Sequence, residues 1–147
     1  MNALEQLAGD WDAEMVVGGA VVARAQIVSE WIGDGQFLLH RSRTILPDDA
    51  PQVWRDNAPT SSSVVMGADD RSGRFAYLYA DSRGVHRVYE MSLDDREWLV
   101  WGRAGEEFFQ RFRGVVSEDG ARIEARWERS ADAEAWELDF EGNYTRR

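Results

Sequence analysis

At 147 residues with a formal net charge of −10, the chain is long enough to bury one core and too acidic to favour nucleic acid or an anionic membrane, both of which would repel it. It has no cysteine, which excludes thiol catalysis, a disulfide framework and the usual zinc sites. No basic leader and no apolar run of membrane length is present, so the expectation is a cytoplasmic protein forming one domain over residues 1–147.

Asn2 to Leu7 reads as a short amphipathic helix stopped by Gly9. From Trp11 the apolar residues alternate, with Trp11, Ala13, Met15 and Val17 on one face and Asp10, Asp12 and Glu14 on the other, the pattern of a half-buried strand. A three-residue Gly18-Gly19-Ala20 loop leads to a second strand that puts Val21, Ala23, Ala25, Ile27 and Trp31 on the same inner side. After Gly33-Asp34-Gly35 the register has two solutions: a three-residue loop sends Phe37, Leu39, Arg41 and Arg43 inward, a two-residue loop Leu38, His40 and Ser42. Residues 47–60 hold all three prolines and no periodicity, so they form one long loop, either a lid with Trp54 folded in or an ordinary surface excursion. Evenly spaced strands and acidic turns follow to the end of the chain, which predicts an all-β, antiparallel up-and-down barrel of about 8–10 strands, a size that leaves room for one small ligand.

Gly9-Asp10-Trp11 at the entry of the first strand, with Arg146 near the end of the last, resembles the entry motif of the calycins, the lipocalins and fatty-acid-binding proteins among them. That resemblance implies a barrel whose Trp11 plugs one end while Arg146, which shares the Trp136–Tyr144 face, lies across the ring and closes the structure. Arg87-Val88-Tyr89 resembles the Arg-x-Tyr strand by which fatty-acid-binding proteins hold a carboxylate. The run from Asp81 to Met91, with Phe109 to Phe112 and Trp136 to Phe140, is similar to a bacterial family of small calycin-like proteins with no established reaction.

Asp81-Ser82-Arg83-Gly84 has the residues of a type I turn with a left-handed glycine, which pairs Tyr79 with Arg87, Tyr77 with Tyr89 and Phe75 with Met91. An arginine among tyrosines on an inner face needs an anion, from the protein or from a ligand. The candidate binding residues are therefore Tyr77, Tyr79, Arg87 and Tyr89, with Arg41 and Gln110, and Phe112 and Trp127 as walls. The favoured function is binding of a small hydrophobic or aromatic molecule with a polar or anionic end. An isomerase, cyclase or hydratase in the same pocket is the first alternative. The second is a filled barrel that pairs with another copy through Trp98-Leu99-Val100-Trp101, both of whose faces are apolar. His40 and His86 raise a haem reading, set aside because a lone histidine is more often a surface or hydrogen-bonded core residue, so no cofactor or metal is expected.

Overall fold

Ten antiparallel strands follow one another in chain order in the computed structural model, which describes residues 2–147. They are β1 (Gly9–Val17), β2 (Ala20–Ile32), β3 (Phe37–Ile45), β4 (Ser61–Ala68), β5 (Phe75–Asp81), β6 (His86–Asp94), β7 (Glu97–Gly105), β8 (Phe108–Val116), β9 (Arg122–Ser130) and β10 (Glu137–Arg146). Each pairs with the next, and β10 returns to β1, closing an all-β up-and-down barrel. The expected N-terminal helix is only a 3-10 turn, Ala3–Gln6, which Asn2 caps by accepting from the Leu4 amide. One short helix, α1 (Gln52–Asn57), lies in the loop between β3 and β4. Among the described residues no helix is long and apolar enough to cross a membrane.

Closure rests on the two ends of the chain. Trp11 and Arg146 are direct partners across β1 and β10, and the guanidinium carbon sits 4.2 Å over the indole centroid. That guanidinium also donates to three backbone carbonyls, those of Ala8, Gln6 and Gly120, while the Trp11 indole N–H donates to Leu7 O at 3.0 Å. Gly9 is required twice over: its φ of 110° is open to glycine, and a Cβ there would stand 2.6 Å from an Arg146 nitrogen. Arg147 is peripheral, reaching Asp12 at 3.4 Å from the outside.

Registers decide which side chains enter. Gly18 and Gly19, with φ of 58° and 81°, form a two-residue turn rather than the expected three-residue loop. A bulge after Met15 then restores the expected pairing of Met15 with Ala23. Between β2 and β3 the loop runs from Gly33 to Gln36, four residues and so neither of the expected lengths, but it has the parity of the two-residue loop and turns Leu38, His40 and Ser42 inward. Arg41 is consequently outside, paired with Glu30, and its expected place in the interior is corrected. On β10 an extra residue, Asp139, bulges between Leu138 and Phe140, which turns Leu138 out to solvent. The β5–β6 hairpin has the predicted register, Tyr77 opposite Tyr89 and Tyr79 opposite Arg87, closed by Gly84 N donating to Asp81 O at 3.0 Å. On β7, Trp98 and Val100 point in, while Leu99 and Trp101 face out.

The two ends of the barrel are filled differently. Leu4, Leu7, Trp11, Leu38, Met66, Val100, Val116 and Ile123 are all fully buried and crowd the end where the chain begins and finishes. Among the described residues no comparable plug of fully buried apolar side chains occupies the other end, where Val53, Trp54 and Asn57 of the long loop between β3 and β4 line the opening.

Replacing Arg146 with Met should destabilise the fold by about 3 kcal/mol, because three carbonyls and an aromatic face lose their cation together. Replacing Arg147 with Met should cost less than about 1 kcal/mol, as expected of an exposed ion pair. Urea unfolding of the two variants measures the contrast.

Candidate functional site

The unfilled end holds a cavity of about 510 Å³. Its walls combine apolar side chains from β1 and β2 (Ala13, Ala25, Ile27) with Val64 and Trp127, and with polar groups from β3 (His40, Ser42, Thr44), β5 (Tyr77, Tyr79), β6 (Tyr89), β8 (Gln110) and β10 (Tyr144). Of the eight binding residues expected from the sequence, Tyr77, Tyr79, Tyr89, Gln110 and Trp127 line it.

The other three do not. Arg41 is outside, as above. Arg87 is on the expected face, but its long side chain runs to the rim, where Nε donates to Ala104 O at 3.1 Å, so no charged group is brought into the chamber by it. Phe112 is buried one layer behind the wall, packed on Trp98 at 4.7 Å and Trp127 at 5.1 Å between ring centroids. It holds Trp127 in place instead of touching the space.

Most of the polar groups are already engaged with one another. Tyr89 donates to the Gln110 side-chain oxygen, and its ring stacks on Tyr77 with centroids 6.1 Å apart. Gly102 makes this possible, since a Cβ there would lie 2.4 Å from the Tyr89 ring. Ser42 and Ser62 share a hydrogen bond of 2.7 Å. His40 contacts Ser29 Oγ through Nδ1 at 2.6 Å, and burial pushes its pKa down to about 4, so the ring is neutral near pH 7. Ser29 and His40 have the atoms of a nucleophile and its base, but Ser29 is buried and does not line the cavity, which makes the pair a structural tie. Burial also raises the pKa values of Tyr77, Tyr79, Tyr89 and Tyr144, the last to about 12, so these phenols keep their protons.

The mouth carries the charges. Asp81 has no exposed side-chain surface; it accepts from Tyr79 Oη at 2.6 Å and from Arg83 Nη2 at 2.6 Å. Burial opposes its ionisation, yet the hydrogen bonds from Arg83 and Tyr79 outweigh that and hold its pKa down to about 2. Arg83 spends its remaining reach on the lid, donating from Nη1 to Asn57 O at 3.0 Å, and Ser82 Oγ accepts from the Thr60 amide at 2.8 Å. On the opposite side Trp54 stands edge-on to Phe140, centroids 5.2 Å apart. Arg55 ties the loop to itself through the carbonyls of Pro47, Asp48 and Ala50. Of the two readings of residues 47–60, these contacts favour the lid. Arg129 is shared between Glu137 at 2.9 Å and Asp139 at 3.7 Å, and burial raises the Asp139 pKa against the pull of that arginine.

Sequence reasoning left out His40 as a settled interior residue, along with Tyr144, Arg83, Asp139 and Phe140. Tyr144 was legible as inward-facing, and Asp81 at the head of its turn was a visible partner for Arg83. The Asp139 bulge has no signal in the local pattern. Among the described residues no group of three or more His, Asp or Glu is placed to hold a metal ion.

Two outcomes test this geometry. His40 has a lowered pKa in the folded state, so the unfolded chain takes up the proton first, and stability should fall as the pH drops from about 6.5 towards 4. Chemical unfolding at pH 7.5 and pH 5 should show up to about 2 kcal/mol less stability at the lower pH than in a His40→Gln variant measured the same way. For the lid, Arg83→Ala should raise amide hydrogen exchange across α1 by about tenfold and leave the strands protected.

The fold itself has a solved counterpart. The chain is similar to the crystal structure of Rv2717c from M. tuberculosis, with a TM-score of 0.63 and 14% sequence identity over 100% of this chain and 98% of that one. At that identity the likeness shows the barrel architecture alone. No protein-family model and no curated protein sequence matches the chain.

Proposed function

We propose that the barrel binds one small, uncharged, largely apolar or aromatic molecule in the chamber beneath the lid. The observation that carries this reading is the cavity of about 510 Å³, walled by rings and aliphatic groups and covered by α1. That volume lies within the roughly 300–1,000 Å³ of ordinary ligand pockets, and the mixture of an apolar wall with a few placed polar groups is what such pockets use. The Gly9-Asp10-Trp11 entry and its Arg146 partner support a calycin-like assignment, in which the plugged end is structural and the open end admits cargo.

An anionic end for the ligand loses its support with Arg87 at the rim. The arginines that do line the chamber, Arg83 and Arg129, are held by Asp81, Glu137 and Asp139 at its mouth. A buried anion would therefore meet desolvation with no free counter-charge, whereas a neutral molecule meets none. The protonated phenols suit hydrogen bonding to such a molecule.

The test is titration of the purified protein with a neutral naphthalene-type probe, followed by quenching of tryptophan fluorescence and by native mass spectrometry. One probe per chain should bind, and Thr44→Phe, which fills the chamber from β3, should abolish binding while leaving the unfolding midpoint near that of the parent. Failure of the parent to bind, or binding undiminished in Thr44→Phe, contradicts the proposal. A visible absorption band from a porphyrin carried through purification would replace it with haem on His40.

A further inference from the structure

Several polar side chains of the chamber are bonded to protein partners, whereas the hydroxyls of Tyr77 and Tyr144 in the interior and of Thr44 on β3 are not. Tyr79, Tyr89, Ser42, Ser62 and His40 all hydrogen-bond to neighbouring protein groups. Among the described residues, the hydroxyls of Tyr77 and Tyr144 bond to no protein atom, although both side chains line the cavity and Tyr77 is only 8% exposed. Neither hydroxyl is sealed off, since among the described residues the one sealed side-chain polar atom without a partner is the Trp98 indole nitrogen; both phenols therefore face the space of the cavity as donors free for an occupant.

Their placement makes them a pair. Tyr77 comes from β5 and Tyr144 from β10, strands on diametrically opposite walls of the ten-strand ring. Both line the same cavity. Tyr144 is aimed by its own strand: its ring lies against Gly142, where an added Cβ would stand 3.1 Å from a ring carbon and 3.8 Å from the hydroxyl. Tyr77 is fixed by stacking on Tyr89.

Two protonated phenols are two good hydrogen-bond donors without charge. Their complement is one neutral oxygen able to accept twice, which is a carbonyl. A carboxylate would accept as well, but the interior offers it no counter-ion; a hydrocarbon would leave both donors idle. The aromatic surfaces of Trp127 and Tyr89 suit a planar ring system attached to that carbonyl. We infer that the barrel selects neutral aromatic carbonyl compounds, whose oxygen accepts hydrogen bonds from Tyr77 and Tyr144 together. This rests on the ligand-binding reading above and names the chemical class that the cavity distinguishes.

The experiment compares two probes of nearly equal size and shape, 2-acetylnaphthalene and 2-isopropenylnaphthalene, on the parent and on Tyr77→Phe, Tyr144→Phe and the double variant. The parent should bind the ketone at least about tenfold more tightly than the hydrocarbon. Either single variant should lose most of that preference, and the double variant should show none. The infrared carbonyl band of the bound ketone should move to lower wavenumber in the parent and back towards its value in an apolar solvent in the double variant. Equal affinity of the parent for both probes, or a preference that survives the double variant, overturns the inference and leaves cavity binding intact. Binding of neither probe to the parent overturns both.

Discussion

The interaction on which everything else depends is the contact between Arg146 and Trp11. A cation over an indole face is worth a fraction of a kcal/mol in water and more when the surroundings are dry, and here the same guanidinium satisfies three carbonyls at the chain ends. It is a point where residues 135 positions apart in sequence must meet, and it sits where the last strand is hydrogen-bonded to the first. It reinforces the β1–β10 ladder, and that ladder keeps both strands from being edges with unpaired backbone groups, the usual route to aggregation. With it the sheet has no edge, and inside and outside are defined for every residue on every strand.

Closure at one end leaves the other free to do something else. The large apolar side chains accumulate around Trp11 and the 3-10 turn, where they form a plug, and the opposite end depends on polar ties between loops. A plug of tightly packed aliphatic side chains around an indole is rigid, because any displacement opens a void. A lid held by Arg83, Ser82 and one edge-on aromatic pair has far fewer apolar contacts and is of lower local stability. Ligand entry belongs at the weaker end. Between plug and lid lies a chamber whose charges have been kept to the rim: long arginine side chains reach outwards to carboxylates or carbonyls, and short hydroxyls and phenols remain inside. The result is an interior that is polar without being charged.

The barrel and its inner face were readable from alternation, since a period of two has only one buried solution once each turn is known. The β5–β6 hairpin shows this at its best, because Asp81-Ser82-Arg83-Gly84 dictates one loop geometry and hence every cross-strand pair behind it. The turn before β3 shows the limit. Gly33-Asp34-Gly35 advertises a turn but not its length, and parity alone decides between His40 and Arg41. Bulges are harder still: nothing in Leu138-Asp139-Phe140 announces that one residue is extra, because the disturbance serves the bend of the sheet and not the local pattern. Arg87 failed for a different reason. Its face was assigned correctly, but a side chain with four rotatable bonds can carry its charge to the rim, where Ala104 O receives it, and alternation reports only the direction of Cβ.

The most direct test of the central claim, that the closed barrel encloses a chamber used for a ligand, is an isotope-filtered nuclear Overhauser spectrum of the labelled protein with an unlabelled naphthyl ketone. The account predicts cross-relaxation between probe protons and the rings of Tyr77, Tyr144 and Trp127, side chains on three strands that only an occupant of the interior can touch at once. Contacts confined to outward-facing residues such as Leu78, Val88 or Trp101 would place the probe on the outer surface and contradict it.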